Sequence, residues 1–113
     1  LEHGSHLMER FRLETMQQGW FIGSFDPSVY RTSHVEVCYR THPAMSAWPK
    51  HYHKLGTEIT LVVRGILRLN RTEFHAGDII TVQPREVVKP EFVTDCEVVV
   101  VKLPSIPGDK YEV

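Results

Sequence analysis

The stretch "HYHKLGTEITLVVRG", residues 51–65, sets two histidines and a glutamate at a short spacing and then runs straight into an apolar, β-branched segment. Side chains at i and i+2 of a strand share a face, so His51 and His53 point together while Tyr52 points away. Gly56 lets the chain turn and enter a second strand, which brings the Glu58 carboxylate back to the same end of the sheet. Two imidazoles and one carboxylate then face one cavity. Neutral imidazole and carboxylate suit first-row divalent ions, and two His plus one carboxylate is the donor set used for Fe(II). An open zinc site is equally compatible. The plain alternative is a strand with a polar pair at its mouth.

Outward from this stretch, the chain reads as a series of short strands. They are expected over residues 20–25, 34–40, 50–53, 58–64, 66–70, 78–82, 87–92 (broken at Pro90) and 96–103. Val, Ile, Thr and aromatic residues dominate them, and Gly, Pro, Asp and Asn separate them. Residues 8–18 offer at most a helical turn or two, and no helix is available as a crossover. The expected class is therefore all-β, an antiparallel sandwich or barrel in one domain, with a parallel α/β arrangement excluded. "NRTEFHAGD" reads as a reversal at residues 70–73 followed by a glycine turn at Gly77-Asp78. "KLPSIPGDKYEV" is expected to leave the barrel as an extended arm, lying along the body or reaching a second subunit. The opening "LEHGSHL", residues 1–7, resembles a tag remnant before a start at Met8, so the domain is taken as 8–113 and His3 and His6 carry no chemistry.

Bulk properties exclude other classes. In 113 residues, 13 basic against 14 acidic side chains leave a net charge of -1, with no basic tract to meet nucleic acid or an anionic membrane. The longest apolar run is the four residues Val98 to Val101, far short of the roughly 20 that span a bilayer. Cys38 and Cys96 form no CxxC pattern and follow no secretory segment, so a reduced, cytoplasmic chain is expected, with both thiols buried as small hydrophobes. Ile59, Leu61 and Val63 give the central strand an apolar second face, and "EVVVVK" shows the same character. Such a face is wet unless the N-terminal segment or a second subunit covers it, which implies a homodimer.

The pattern His51, His53, Glu58 and Gly65 resembles the first motif of the cupin superfamily, G-x5-H-x-H-x(3,4)-E-x6-G, with Met45 in place of the leading glycine. The second motif, G-x5-P-x-G-x2-H-x3-N, is similar to the segment starting at Gly77, but it places Gln83 at the proline, Arg85 at the glycine, Val88 at the histidine and Phe92 at the asparagine. Sliding by one to match Pro84 puts Lys89 at the histidine position. The two motifs cover residues 45–92. The resemblance implies a cupin jelly roll with a small-molecule cavity and a divalent ion (Fe, Mn, Ni or Zn) on His51, His53 and Glu58.

With Val88 or Lys89 at the usual fourth-ligand position, such a site has three protein ligands, and open positions suit Lewis-acid chemistry or oxygen activation. His42, His75, Gln83 and Glu91 are the available substitutes. Three functions fit: a metal-dependent enzyme of dioxygenase or isomerase type, a metal-free sugar-nucleotide isomerase or epimerase, and a non-catalytic ligand-binding module. The metal-free reading rests on resemblance to cupin-like isomerases and on the near-neutral pKa of histidine. It makes His51 or His53 the acid or base, Glu58 its orienting partner, and Lys89 or Tyr52 an electrophilic helper. Of Arg64 and Arg68, only Arg64 is in phase to hold an anionic substrate. Trp20, Phe21 and Phe25 read as core or dimer aromatics, and His34 and His75 as solvated surface.

Overall fold

The computed structural model describes residues 8–113; the segment read as a tag remnant, residues 1–7, lies outside the described residues. After a single 3-10 turn at Leu13–Thr15, twelve strands follow. These are β1 (Trp20–Gly23), β2 (Tyr30–Arg31), β3 (Glu36–His42), β4 (Ser46–Ala47), β5 (His51–Tyr52) and β6 (Thr57–Arg64). The rest are β7 (Ile66–Leu69), β8 (Thr72–His75), β9 (Ile79–Val82), β10 (Pro90–Phe92), β11 (Cys96–Leu103) and β12 (Tyr111–Glu112). Among the described residues no helix is long and apolar enough to cross a membrane.

A six-stranded sheet, β2-β1-β3-β11-β6-β9, stands beside a four-stranded sheet, β4-β10-β7-β8, and β12 pairs with β5. Apart from the parallel pair β1 and β2, neighbours run antiparallel. The core joins the two large sheets: Val62, Ile80, Val82 and Cys96 from one pack with Leu67 and Phe92 from the other, and Val88 fills the gap between them. This is the all-β antiparallel architecture expected from the strand pattern, and the jelly roll that the cupin resemblance implied.

Alternation decides what reaches the interior. On β3, Glu36, Cys38, Arg40 and His42 face inward; on β6, Glu58 and Thr60; on β11, Val98, Val100 and Lys102. The phase breaks at the far end of β6, where a bulge opposite Glu97 and Val98 shifts the register. Arg64 is thereby turned outward, 73% exposed and paired with Glu97 at 3.1 Å, so the expected anion-binding arginine does not face the cavity. Arg68 is likewise spent on Glu73, at 2.8 Å. At the next residue, Gly65 (φ +93°), a Cβ would stand 2.1 Å from the Asp95 carbonyl oxygen, so only glycine allows this close approach.

One local expectation needs correction and another is made specific. Residues 70–73 are not all turn: Asn70 and Arg71, both at positive φ, make a two-residue reversal, and Thr72–His75 continues as β8 against β7. The C-terminal arm takes the first of its two expected courses and lies along the body. It folds back as β12 on β5, with Tyr111 opposite Tyr52 and Glu112 opposite His51.

Candidate functional site

The interior opens into a cavity of about 550 Å³. Its wall holds His51, His53 and Glu58, and the imidazole rings of the first two lie edge to face with centroids 5.4 Å apart. The i, i+2 spacing thus delivers both histidines to one space, and Tyr52 stacks on Tyr111 with centroids 5.5 Å apart, away from it. Tyr52 is therefore no electrophilic helper. Lys89 is exposed and absent from the wall, which removes it from that role as well.

The loop after β9 holds the histidines through its backbone. His51 and Val88 exchange two amide–carbonyl hydrogen bonds of 2.9 Å each, and the Arg85 N–H donates to the His53 carbonyl at 2.6 Å. Met45 (φ 68°) and Arg85 (φ 70°) adopt the left-handed conformation at two of the four motif glycine positions, the two at which this chain carries another residue. The degenerate second motif therefore keeps its backbone course, and the register that aligns Val88 with the motif histidine is the structural one. Val88 is buried in the cavity wall and offers no donor. Of the proposed substitutes only His42 reaches the cavity, and its ring lies flat on Phe92 with centroids 3.9 Å apart. His75, Gln83 and Glu91 do not line it.

The His51 Nδ1–H donates to the Pro49 carbonyl at 2.7 Å, which leaves Nε2 as the nitrogen with the lone pair. His53 Nδ1 lies 3.6 Å from Glu58 Oε1, beyond hydrogen-bond length but within reach once the ring is protonated. Burial pushes His53 down to about 4, reinforced by the Lys102 charge and by His51. Burial also lowers His51, against the Pro49 carbonyl that favours its protonated form. Near neutral pH the His53–Glu58 contact therefore joins a neutral imidazole to a carboxyl group and is not an ion pair. His42 is held at about 4 by burial and then by Arg40.

The donor types of His51, His53 and Glu58 are those of a divalent-ion site; among the described residues no three His, Cys, Asp or Glu side chains are already grouped to hold a metal ion.

Several wall residues carry no signal in the sequence. Arg40 and Lys102 come from β3 and β11, and Ile106 to Lys110 from the C-terminal arm. The arm is anchored by Asp109, whose carboxylate accepts from the Lys54, Leu55 and Gly56 N–H groups at 2.9, 3.1 and 2.9 Å. Burial alone would raise this carboxyl; the three N–H donors outweigh it and hold Asp109 below the ordinary value. Trp20 and Phe25, expected as core or dimer aromatics, pair edge to face with centroids 6.4 Å apart and line the cavity, as does Trp48. Cys38 and Cys96 are buried, free thiols, and burial lifts Cys38 to about 12, which makes it inert.

Solved structures share this architecture. A conserved protein with a double-stranded β-helix domain from Klebsiella pneumoniae superposes with a TM-score of 0.66 at 17% identity, over 94% of this chain and 97% of that one. An RmlC-like cupin protein from Ralstonia eutropha gives 0.61 at 18% identity, over 83% of this chain and 61% of that one. The chain has the cupin fold. The DMSP lyase DddQ from Ruegeria pomeroyi also shares the cupin fold, with a TM-score of 0.69 at 12% identity over 92% of this chain and 56% of the lyase. No protein-family model and no curated protein sequence matches the chain.

Proposed function

We propose that this cupin-fold chain is a small-molecule enzyme that moves a proton next to a carbonyl group, in the manner of an isomerase or epimerase. The observation that carries this reading is the neutral His53 beside Glu58 in the cavity wall, 3.6 Å apart. Burial keeps the His53 imidazole neutral at pH 7, with a lone pair free to accept a proton, and makes it a weaker base than free imidazole. His53 takes a proton from the carbon beside the substrate carbonyl, and the electron pair of that C–H bond moves into the carbonyl as an enolate. The imidazolium formed is stabilised by the Glu58 carboxylate, and Lys102 in the same wall offsets the enolate charge. Return of the proton by His53 to the carbonyl carbon, after the enediol forms, isomerises an α-hydroxy carbonyl compound; epimerisation takes the proton for the other face from solvent, and the His53 proton leaves to solvent in turn. His51, with its lone pair on Nε2, is the second base within the wall. The outer sheet face supports a homodimer as the working unit.

Solvent-exchange NMR tests the reading. A panel of keto-sugar nucleotides in D2O is expected to take up deuterium at the carbon beside the carbonyl, with the rate reduced at least a hundredfold in His53→Gln. Exhaustive chelation is expected to leave exchange intact. Loss of exchange on chelation, restored by Fe, Mn, Ni or Zn, would transfer His51, His53 and Glu58 to a metal-dependent mechanism. An absence of exchange across the panel, with a ligand recovered unchanged from the cavity, would favour a binding module.

A further inference from the structure

The charges of the cavity wall do not balance locally. Each of its buried carboxylates is engaged. Asp109 takes three backbone N–H groups. Glu36 accepts from the Ser105 hydroxyl at 2.8 Å and lies 3.9 Å from Lys102. Glu58, half-buried, accepts from Thr60 at 3.4 Å and faces His53. The remaining acid, Asp26, sits exposed in the loop between β1 and β2. Among the described residues, Arg40 and Lys110 have no carboxylate within ion-pair distance. They share the Trp48 ring instead: the Arg40 guanidinium carbon is 4.8 Å and the Lys110 ammonium 3.7 Å from its centroid.

Two half-buried cations on one aromatic ring repel each other and lose hydration, and cation–π attraction offsets only part of this. An anion placed between them removes the repulsion and replaces the lost water. Arg40 and Lys110 together can take two negative charges, whereas the charge of Lys102 is already met by Glu36 at 3.9 Å. The remaining wall, with Trp20, Phe25, Trp48 and Ile106, is apolar and fits a larger organic body.

We infer that Arg40 and Lys110 form a binding site for a dianionic group, and that the small-molecule ligand of the cavity is a phosphate ester. The inference rests on the reading of the cavity as the substrate site, but its test needs no turnover. It also gives the C-terminal arm a role, because the arm carries Lys110 into the wall and Asp109 fixes it there.

The probe is inorganic phosphate, titrated against chloride and acetate at matched ionic strength, with heat of binding and melting temperature as readouts. Phosphate is expected to bind saturably and to raise the melting temperature, with at least tenfold weaker binding for acetate. Arg40→Gln and Lys110→Gln are each expected to weaken phosphate binding tenfold or more, while Arg64→Gln, on the outer surface, leaves it unchanged. His53→Gln is expected to slow deuterium exchange at least a hundredfold and to retain phosphate binding, which separates the two readings. Should Arg40→Gln fail to fold, Lys110→Gln on the arm decides. Phosphate binding no tighter than chloride, equal to acetate, or undiminished in Lys110→Gln overturns the site.

Discussion

His53 and His42 are the residues at which burial has the largest consequence for pH. Both titrate near 4 in the folded chain, through burial first and then through nearby cations, against about 6.5 for an unperturbed histidine. Between those values the unfolded chain holds more protons than the folded one, so acid favours unfolding. The contribution of each ring is complete above pH 6.5 and is lost as the pH falls toward 4, on the order of 3 kcal/mol per ring. Denaturant midpoints at pH 7, 5.5 and 4.5 should fall accordingly, and a double His42→Gln, His53→Gln variant should show a flatter slope. An unchanged slope would sink the assignment. At this scale the sequence is informative where a local period governs position. His51 and His53 converge because strand side chains alternate. Arg40 and Lys110 meet over Trp48 only through the path of three separate segments, and no spacing announces that.

Among the elements, the C-terminal arm gains most detail over its sequence reading. Its prolines and Pro-Gly turn suggest an extended tail, yet Asp109 binds it to the turn between β5 and β6 and β12 completes a pairing with β5. The turn signals at Pro104, Pro107 and Gly108 were legible; their direction was not, because it is set by one carboxylate meeting three amides far away in sequence. Loss of those bonds should cost about 1–3 kcal/mol. Asp109→Ala is therefore expected to speed hydrogen exchange at the amides of Lys54, Leu55 and Gly56 by tenfold or more, with Asp109→Asn intermediate. Protection equal to wild type in Asp109→Ala would show that β12 holds the arm without it. The strands themselves were legible to within a few residues because β-branched and aromatic runs mark them. The short β2, β4, β8 and β12 were not, since their residues are largely exposed and carry no alternation.

For the whole molecule, the decisive surface is the outer face of the six-stranded sheet. Val101 stands between Val37 and Ile59, and Val99 between Tyr39 and Leu61, with Ile79 beyond Leu61. Ile79 is 67% exposed. The N-terminal segment does not bury itself here, since Met8 to Thr15 are exposed throughout. Association of two copies through this face is the economical way to remove its apolar area from water. Light scattering at micromolar concentration is expected to give twice the 13.1 kDa chain mass, and Leu61→Asp to give the single mass. A wild-type monomer would remove the dimer. Inside the barrel, the paired backbone bonds between His51 and Val88 have a different consequence. They preserve, with its orientation, the place where cupins seat a further histidine, and fill it with an aliphatic side chain. A Val88→His substitution would therefore place an imidazole in the cavity wall without removing the backbone pairing that holds His51.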